Sequence, residues 1–192
     1  MPASCPRVYW DACIFSSYIE REPECIATLD TIVQDALQTR LRIITSTISI
    51  TEVAYAEIER ATGRLEPTVF DAIDDMWADR SVVTLIEFTP AIALFAREII
   101  RRGVNEQRTL RSADAIHLAT AKMYGSSDFH TNDGRLLRWD GEWFPVRPPF
   151  TDRPTLPFQV QQPAFRSPFR SAGSPAPTMP SAEFGPAGGR PE

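Results

Sequence analysis

The sequence predicts one α/β domain of three layers (α/β/α), with helices on both faces of a mainly parallel central sheet. Before about residue 150, short runs rich in β-branched and aromatic residues alternate with segments of helical periodicity, a pattern typical of strand–helix–strand units. Of the 192 residues, 43% are hydrophobic and 23% are charged, close to the averages of globular proteins. That length favours a single core with appendages over two full domains.

The first predicted elements alternate strand and helix. Residues 7–11 form an apolar run that indicates the first strand. A helix is expected to follow directly and to stop at Glu22-Pro23, because the residue before a proline disfavours helical geometry. A second helix is predicted to about Arg40, and residues 41–45 are expected to form the next buried strand.

The middle of the chain is predicted to contain two helices before the third strand. Ser49 is expected to begin a helix that ends at Gly63, since glycine commonly follows helices. The apolar residues of this helix would share one stripe: Ile50, Val53, Ala54, Ile58 and Ala61. A further helix from Pro67 to about Ala78 and a strand over residues 82–88 follow.

The clearest helix is predicted over residues 90–102. Thr89 would cap it, Pro90 suits its first position, and Gly103 stands just beyond its end. Its apolar residues recur at the spacing of one buried face: Ile92, Phe95, Ala96 and Ile99.

Three more elements complete the predicted domain. Ser112 is expected to cap a helix that runs to about Tyr124. Residues 128–131 are predicted to form a short strand, and residues 143–146 an edge strand that ends before Pro148-Pro149. The domain is therefore expected to span residues 1–150.

Residues 151–192 have a different composition from the rest of the chain. Nine prolines and four glycines occur in this segment without hydrophobic periodicity. Such a segment buries too little apolar surface to offset its ordering entropy. A disordered, Pro-rich tail is predicted.

Composition and cysteine content exclude several classes of protein. Three cysteines, an odd number without C-x-x-C pairs, do not suggest a disulfide framework. The first seven residues have no apolar signal region, and the longest apolar run, residues 91–96, is too short to span a bilayer. A cytoplasmic location without membrane insertion is expected. The net charge of −5 shows no basic nucleic-acid footprint in the total, although a local Arg stripe would still be compatible with it.

Four acidic residues stand where the chain enters a helix, and each has a structural explanation as well as a functional one. Asp11 could simply cap the helix after the first strand. Glu52 completes an S-x-x-E capping box that begins at Ser49. Asp114, at the expected second helical position, would be stabilised by the helix dipole. Asp133 could be a turn or cap residue.

Together these acids suggest a metal site. The carboxyl ends of parallel strands meet at one edge of a sheet, where ligands bind in open α/β folds. Carboxylates gathered there would repel one another unless a cation joined them. With few His or Cys ligands available, Mg²⁺ or Mn²⁺ suits the cluster better than zinc.

Four segments around these acids resemble the successive acidic motifs of PIN-domain nucleases, particularly the VapC-type toxins of toxin–antitoxin systems. The segments are Tyr9-Trp-Asp11-Ala-Cys-Ile-Phe15, Ser49-Ile-Thr-Glu52, Ser112-Ala-Asp114-Ala-Ile-His-Leu-Ala-Thr-Ala121 and Phe129-His-Thr-Asn-Asp133. The third and fourth motifs are the most specific, and the similarity covers residues 7–146. The segment after residue 150 departs from the pattern, because such toxins usually end near their last strand.

The resemblance implies a Mg²⁺- or Mn²⁺-dependent endoribonuclease, with a small antitoxin protein that blocks the site and a homodimeric assembly. It implies that the catalytic and metal-binding acids are Asp11, Glu52, Asp114 and Asp133. It also implies a supporting role for Thr131 or Asn132 near the metal.

Arginines just upstream of Asp114 are candidates for RNA phosphate contacts: Arg101, Arg102, Arg108 and Arg111. A solvated helix end explains Arg101 and Arg102 equally well. His117, one turn beyond Asp114, could hydrogen-bond near the site or be a buried structural histidine.

Two other functions compete with the nuclease hypothesis. One is a catalytically idle PIN-like module that binds RNA or protein, with the acids retained as caps. The other is a Mg²⁺-dependent phosphatase or phosphotransfer enzyme on a related sheet. Against the latter, Asp11 has no second Asp two residues on, and no G-x-x-x-x-G-K-[ST] loop is present.

Overall fold

A computed structural model describes residues 5–154, and within them the fold is built on a five-stranded parallel sheet. The strands are β1 (Arg7–Trp10), β2 (Arg42–Ser46), β3 (Val83–Ile86), β4 (Asp128–His130) and β5 (Val146–Arg147). Their order across the sheet is β3-β2-β1-β4-β5, and every neighbouring pair is parallel. Strands β1, β2 and β3 therefore lie side by side in chain order, and the chain then crosses over so that β4 and β5 lie on the other side of β1.

Helices cover both faces of the sheet, which confirms the three-layer prediction. They are α1 (Ala12–Ile19), α2 (Ile26–Leu37), α3 (Ser49–Glu52), α4 (Glu57–Thr62), α5 (Pro67–Ala78), α6 (Pro90–Asn105), α7 (Ser112–Met123) and α8 (Gly134–Leu137). Successive side chains of β1 point to opposite faces. Val8 and Trp10 pack with α1, α2 and α5, whereas Tyr9 packs with α6 and α7. Both faces are buried, as parallel sheets require.

The helix predicted from Ser49 to Gly63 is wrong as a single element. The chain leaves helical geometry at Val53 (φ −101°, ψ 55°) and is extended at Ala56, so α3 and α4 are separate helices. Val53 is buried while Ile50 is 39% exposed, so the apolar residues do not share one face. α3 begins at Ser49 and Gly63 (φ +65°) ends α4, as predicted, but the Ser49 hydroxyl bonds the Thr45 hydroxyl (2.8 Å) instead of capping a helix.

A buried carboxylate organises the chain after this break. Glu59 is 4% exposed and accepts hydrogen bonds from the backbone N–H groups of Ala56 (3.0 Å) and Glu66. These two groups begin α4 and precede α5, so one side chain joins the two helix starts. Helical periodicity alone does not reveal these hydrogen bonds, because the one from Glu66 depends on the path of the chain after α4.

The helix predicted over residues 90–102 begins as expected but continues through Gly103 to Asn105. Thr89 caps it by accepting the Ile92 N–H (3.4 Å). Gly103 is a packing residue here, because a Cβ on it would lie 2.5 Å from the carbonyl oxygen of Arg108. The loop after the helix folds back closely enough for the Arg108 N–H to reach the Gly103 carbonyl (2.7 Å).

The sheet edge and the end of the described chain also differ slightly from expectation. The edge strand lies at Val146–Arg147 and not at residues 143–146, and it pairs with β4. The predicted disordered tail falls almost wholly on residues 155–192, which lie outside the described residues. None of the helices described within residues 5–154 is long and apolar enough to cross a membrane.

Candidate active site

The four predicted acids line one cleft of about 520 Å³. Asp11 follows β1, Asp133 follows β4, Asp114 lies in the first turn of α7, and Glu52 ends α3. The strand order reverses between β1 and β4, and ligands of open α/β sheets bind outside the carboxyl ends of strands at such a reversal. Fold topology thus brings together residues that are far apart in the chain.

Asp11 caps α1 and faces the cleft with the same carboxylate. One oxygen, Oδ1, accepts the Ala12 N–H at 2.8 Å. The other, Oδ2, accepts the hydroxyl of Thr131 at 2.8 Å and the thiol of Cys13 at 3.3 Å. With 6% of its surface exposed, Asp11 is a buried carboxylate oriented by these three hydrogen bonds.

Glu52 contacts a histidine across the cleft. Its Oε2 lies 2.6 Å from Nε2 of His117, which is 1% exposed. The other ring nitrogen, Nδ1, lies 2.7 Å from the hydroxyl of Tyr9, which accepts the N–H of Ser46 (2.9 Å). That bond leaves the Tyr9 O–H free to donate to Nδ1, so the neutral ring carries its proton on Nε2, toward Glu52. Asp11 Oδ1 is 3.5 Å from the same nitrogen.

Burial and charge act in opposite directions on His117. Burial alone would lower the pKa of its imidazole, but the hydrogen bond to Glu52 and the negative charges of Asp11, Glu52 and Asp114 together raise that pKa above its ordinary value. Sequence reasoning left the role of His117 open, because its contact with Glu52 joins residues 65 positions apart.

Asp114 is the third residue of α7, because Arg111 and not Ser112 is the cap position. Asp114 Oδ2 accepts the backbone N–H of Arg111 (3.2 Å) at the helix start. Burial raises the pKa of this carboxyl, as do the nearby charges of Asp133 and Asp11, whereas the Arg111 N–H and the charge of Arg135 act to lower it. An added cation would relieve that unfavourable ionisation.

Asp133 caps α8 and pairs with an arginine that sequence reasoning missed. Its Oδ1 accepts the backbone N–H of Arg135 (2.7 Å), and Nη2 of Arg135 lies 2.6 Å from Oδ2. The Arg135 guanidinium lowers the pKa of the Asp133 carboxyl. Nε of Arg135 is also 3.6 Å from Asp114 Oδ2, so one guanidinium spans two of the acids. The signal available in the sequence was that Arg135 lies two residues after Asp133.

Thr131 and Asn132 lie beside Asp11 and Asp133 in the cleft region. The fully buried Thr131 hydroxyl donates to Asp11 and accepts the N–H of Asp133 (3.0 Å), and so links two acids. Asn132 lines the cleft, and its N–H donates to Cys13 Sγ (3.3 Å). Burial and the Asp11 charge raise the pKa of the Cys13 thiol to about 12, which keeps it protonated.

The arginine candidates separate into two groups. Arg111 lines the cleft, together with Arg60, which the sequence did not suggest. Arg108 instead pairs with Glu106 and with Glu142 (3.1 Å), and its guanidinium lies 4.1 Å from the ring centre of Trp139. The structure thus places Arg111, but not Arg108, beside the acids.

The donors around the cleft suit a hard divalent cation in kind, since carboxylate and hydroxyl oxygens are the ligands that Mg²⁺ and Mn²⁺ prefer. Within residues 5–154, however, no group of three or more His, Cys, Asp or Glu side chains has the arrangement of a metal site. Two of the acids already have other partners: Glu52 contacts His117, and Asp133 contacts Arg135.

Comparison with known proteins identifies the family of this chain. The family model described as PIN domain matches residues 8–142. No curated protein matches the chain. A chain in the crystal structure of VapBC2 from Rickettsia felis bound to a DNA fragment from its promoter shares the fold, with a TM-score of 0.55 and 14% identity over 73% of this chain and 96% of that chain. These matches confirm the family predicted from the acidic motifs, and the chain therefore belongs to the PIN domain family.

Proposed function

We propose that this protein is a divalent-metal-dependent endoribonuclease that hydrolyses RNA phosphodiester bonds. The observation that carries the proposal is the convergence of Asp11, Glu52, Asp114 and Asp133, from four separate segments, on one cleft at the carboxyl end of the sheet. Membership of the PIN domain family supports it, because these domains are generally nucleases.

Asp11 and Asp114 are the direct metal ligands in this proposal, with Asp133 and Glu52 completing the site directly or through water. A bound Mg²⁺ or Mn²⁺ would supply charge stabilisation at the scissile phosphate and a lowered pKa for the attacking water. Within the chain, Thr131 holds Asp11 in position through its 2.8 Å hydrogen bond, and His117 holds Glu52. No covalent protein nucleophile is required.

RNA phosphates would be neutralised by the basic side chains at the cleft. Arg111 and Arg60 line it directly. Arg108 is a weaker candidate than the sequence suggested, because its guanidinium is already paired with two glutamates and packed on Trp139. A strongly basic surface is unnecessary for this binding, since only the few phosphates near the cut need a partner.

We further propose that the protein is the toxin component of a toxin–antitoxin pair, acts in the cytoplasm and forms homodimers, with a small antitoxin as its partner. The similarity of fold to a chain of the VapBC2 assembly supports this role. So does the resemblance of all four acidic motifs to VapC-type toxins.

The direct test is cleavage of structured and single-stranded RNAs by the purified protein with Mg²⁺, Mn²⁺ or EDTA. The Asp114→Asn variant should be inactive, whereas Asp30→Asn, which removes a carboxylate of the exposed Arg21–Asp30 ion pair, should cut at the wild-type rate. Oligonucleotide fragments that require metal and Asp114 would establish the activity. Free phosphate as the product would indicate a phosphatase, and folded protein without cleavage under any metal would favour a binding module.

A further inference from the structure

Arg135 is placed differently from every other arginine described at the cleft, because its guanidinium contacts two of the acids. Nη2 lies 2.6 Å and Nε 3.3 Å from the two oxygens of Asp133, while Nε is 3.6 Å from Asp114 Oδ2. The forked guanidinium thus takes up the carboxylate oxygens that a cation would need. Its charge favours the ionised forms of both Asp133 and Asp114.

The contact can be released without disturbing the fold. The Arg135 side chain is 37% exposed, and four rotatable bonds let its guanidinium swing into solvent. The cap of α8 does not depend on that guanidinium, because Asp133 Oδ1 is also held by the backbone N–H of Arg135 at 2.7 Å. Arg108, by contrast, is packed on Trp139 and paired with two glutamates, so its position is structural.

We propose that Arg135 is an internal counter-ion of the site, whose guanidinium competes with a divalent cation for the Asp133 and Asp114 carboxylates and is displaced when the cation binds. The proposal rests on the proposed metal-dependent function, since it requires a cation at these acids. It assigns Arg135 a positioning role: it keeps two like charges together in the absence of metal, at the expense of metal affinity.

Metal affinity is the quantity that distinguishes this role from a supporting one. Mn²⁺ binding to the full chain, measured by electron paramagnetic resonance and titration calorimetry, should tighten about twofold to fivefold in Arg135→Gln, the range expected when a partly exposed ion pair is removed. Arg135→Lys keeps the charge but lacks the bidentate guanidinium, so its Mn²⁺ affinity should lie between those of the wild type and Arg135→Gln. Arg102→Gln removes an equal charge from ion pairs with Glu106 and Glu142 outside the cleft, and should bind like the wild type.

The outcomes separate this inference from the proposed function. Equal or weaker Mn²⁺ binding by Arg135→Gln would overturn the competition, because it would mean that the guanidinium supports the site. Failure of the wild-type chain to bind Mn²⁺ at all would overturn the metal-dependent function and this inference together.

A second measurement follows the wild-type chain itself and uses a variant only to assign a signal. In the wild-type chain, the Nε–Hε signal of Arg135, assigned with Arg135→Lys, should shift as Mg²⁺ is added and saturate with the binding curve. The corresponding signal of Arg108 should stay unchanged. An Arg135 signal that does not move while Mg²⁺ binds would contradict displacement.

Discussion

At the scale of single residues, helix capping and the proposed metal binding coincide in the same carboxylates. Asp11 uses one oxygen to cap α1 and the other to face Thr131 in the cleft. Asp133 likewise caps α8 while its second oxygen contacts Arg135. A helix start orients a carboxylate and favours its charge, and a metal ligand needs both properties. The structural and functional explanations of these acids are therefore complementary.

Two substitutions at Asp11 separate its capping role from its chemistry. Asp11→Asn should retain the stability of the wild type within about 0.5 kcal/mol, because Asn caps helices as well as Asp does. Asp11→Ala should lower the free energy of unfolding by about 1 kcal/mol through loss of the cap. Both variants should lose metal-dependent RNA cleavage, by at least a factor of about 100.

Urea unfolding and single-turnover cleavage measure the two effects. Cleavage by Asp11→Asn at the wild-type rate would remove Asp11 from the mechanism, and equal stability of the two variants would show that the cap contributes nothing.

His117 is expected to act on catalysis through Glu52, which its Nε2 contacts at 2.6 Å. Glu52→Gln and His117→Gln should each lower the cleavage rate by about 10- to 100-fold, the range found for residues that orient metal ligands. Because they act as a unit, the double variant should be little slower than either single one. Independent, multiplicative losses in the rate constants would contradict this coupling.

At the scale of elements, the parts of the site that could be predicted are those encoded locally. Asp11 and Asp133 follow apolar strands, and Asp114 follows Ser112 at a helix start, so short sequence patterns locate them. His117 was not assigned as a site residue because its partner Glu52 comes from another helix, and the contact of Arg135 with Asp114 likewise joins two helices, although its spacing from Asp133 is local. Spacing along one element carries no information about such contacts.

The same distinction explains which helices were predicted well. α5 and α6 begin with Pro at the first helical position, a local signal, and both start where the sequence indicated. The segment around the break between α3 and α4 instead makes contacts outside its own helices, since the Ser49 hydroxyl bonds Thr45 in β2 and Glu59 reaches forward to Glu66 before α5. Tertiary contacts there override the apolar periodicity that predicted one continuous helix.

Gly103 provides a test of packing against helix propensity within α6. Gly103→Ala should destabilise the protein by about 1–3 kcal/mol, because the new methyl group would lie 2.5 Å from the Arg108 carbonyl oxygen and force the loop to move. Propensity alone predicts the opposite sign, a gain of about 1 kcal/mol. Gly134→Ala is the matched control, since a Cβ there meets no atom within 4 Å.

Urea midpoints of the two variants decide between these effects. A stabilised Gly103→Ala protein would show that the loop after α6 yields at little cost.

At the scale of the whole molecule, the strand order determines where chemistry can occur. β1 is the middle strand, and the chain crosses from β3 on one side of it to β4 on the other. A cleft therefore opens at the ends of β1 and β4, and Asp11 and Asp133 line it. The net charge of −5 is compatible with nucleic-acid binding in this arrangement, because Arg60 and Arg111 lie at the cleft itself.

The predicted domain boundary near residue 150 is tested by truncation. Among residues 5–154, the buried apolar side chains that pack on the two faces of the sheet end at Val146, so a chain that ends at residue 154 should unfold at the same urea concentration as the full chain. A chain that ends at residue 147 should be less stable by about 0.5–2 kcal/mol. It loses the ion pair between Arg153 and the buried Asp35 (2.7 Å) and the packing of Arg147 on the Phe150 ring (4.0 Å). If the chain ending at residue 154 were clearly less stable than the full protein, residues 155–192 would have to contribute to the fold, and the boundary would be wrong.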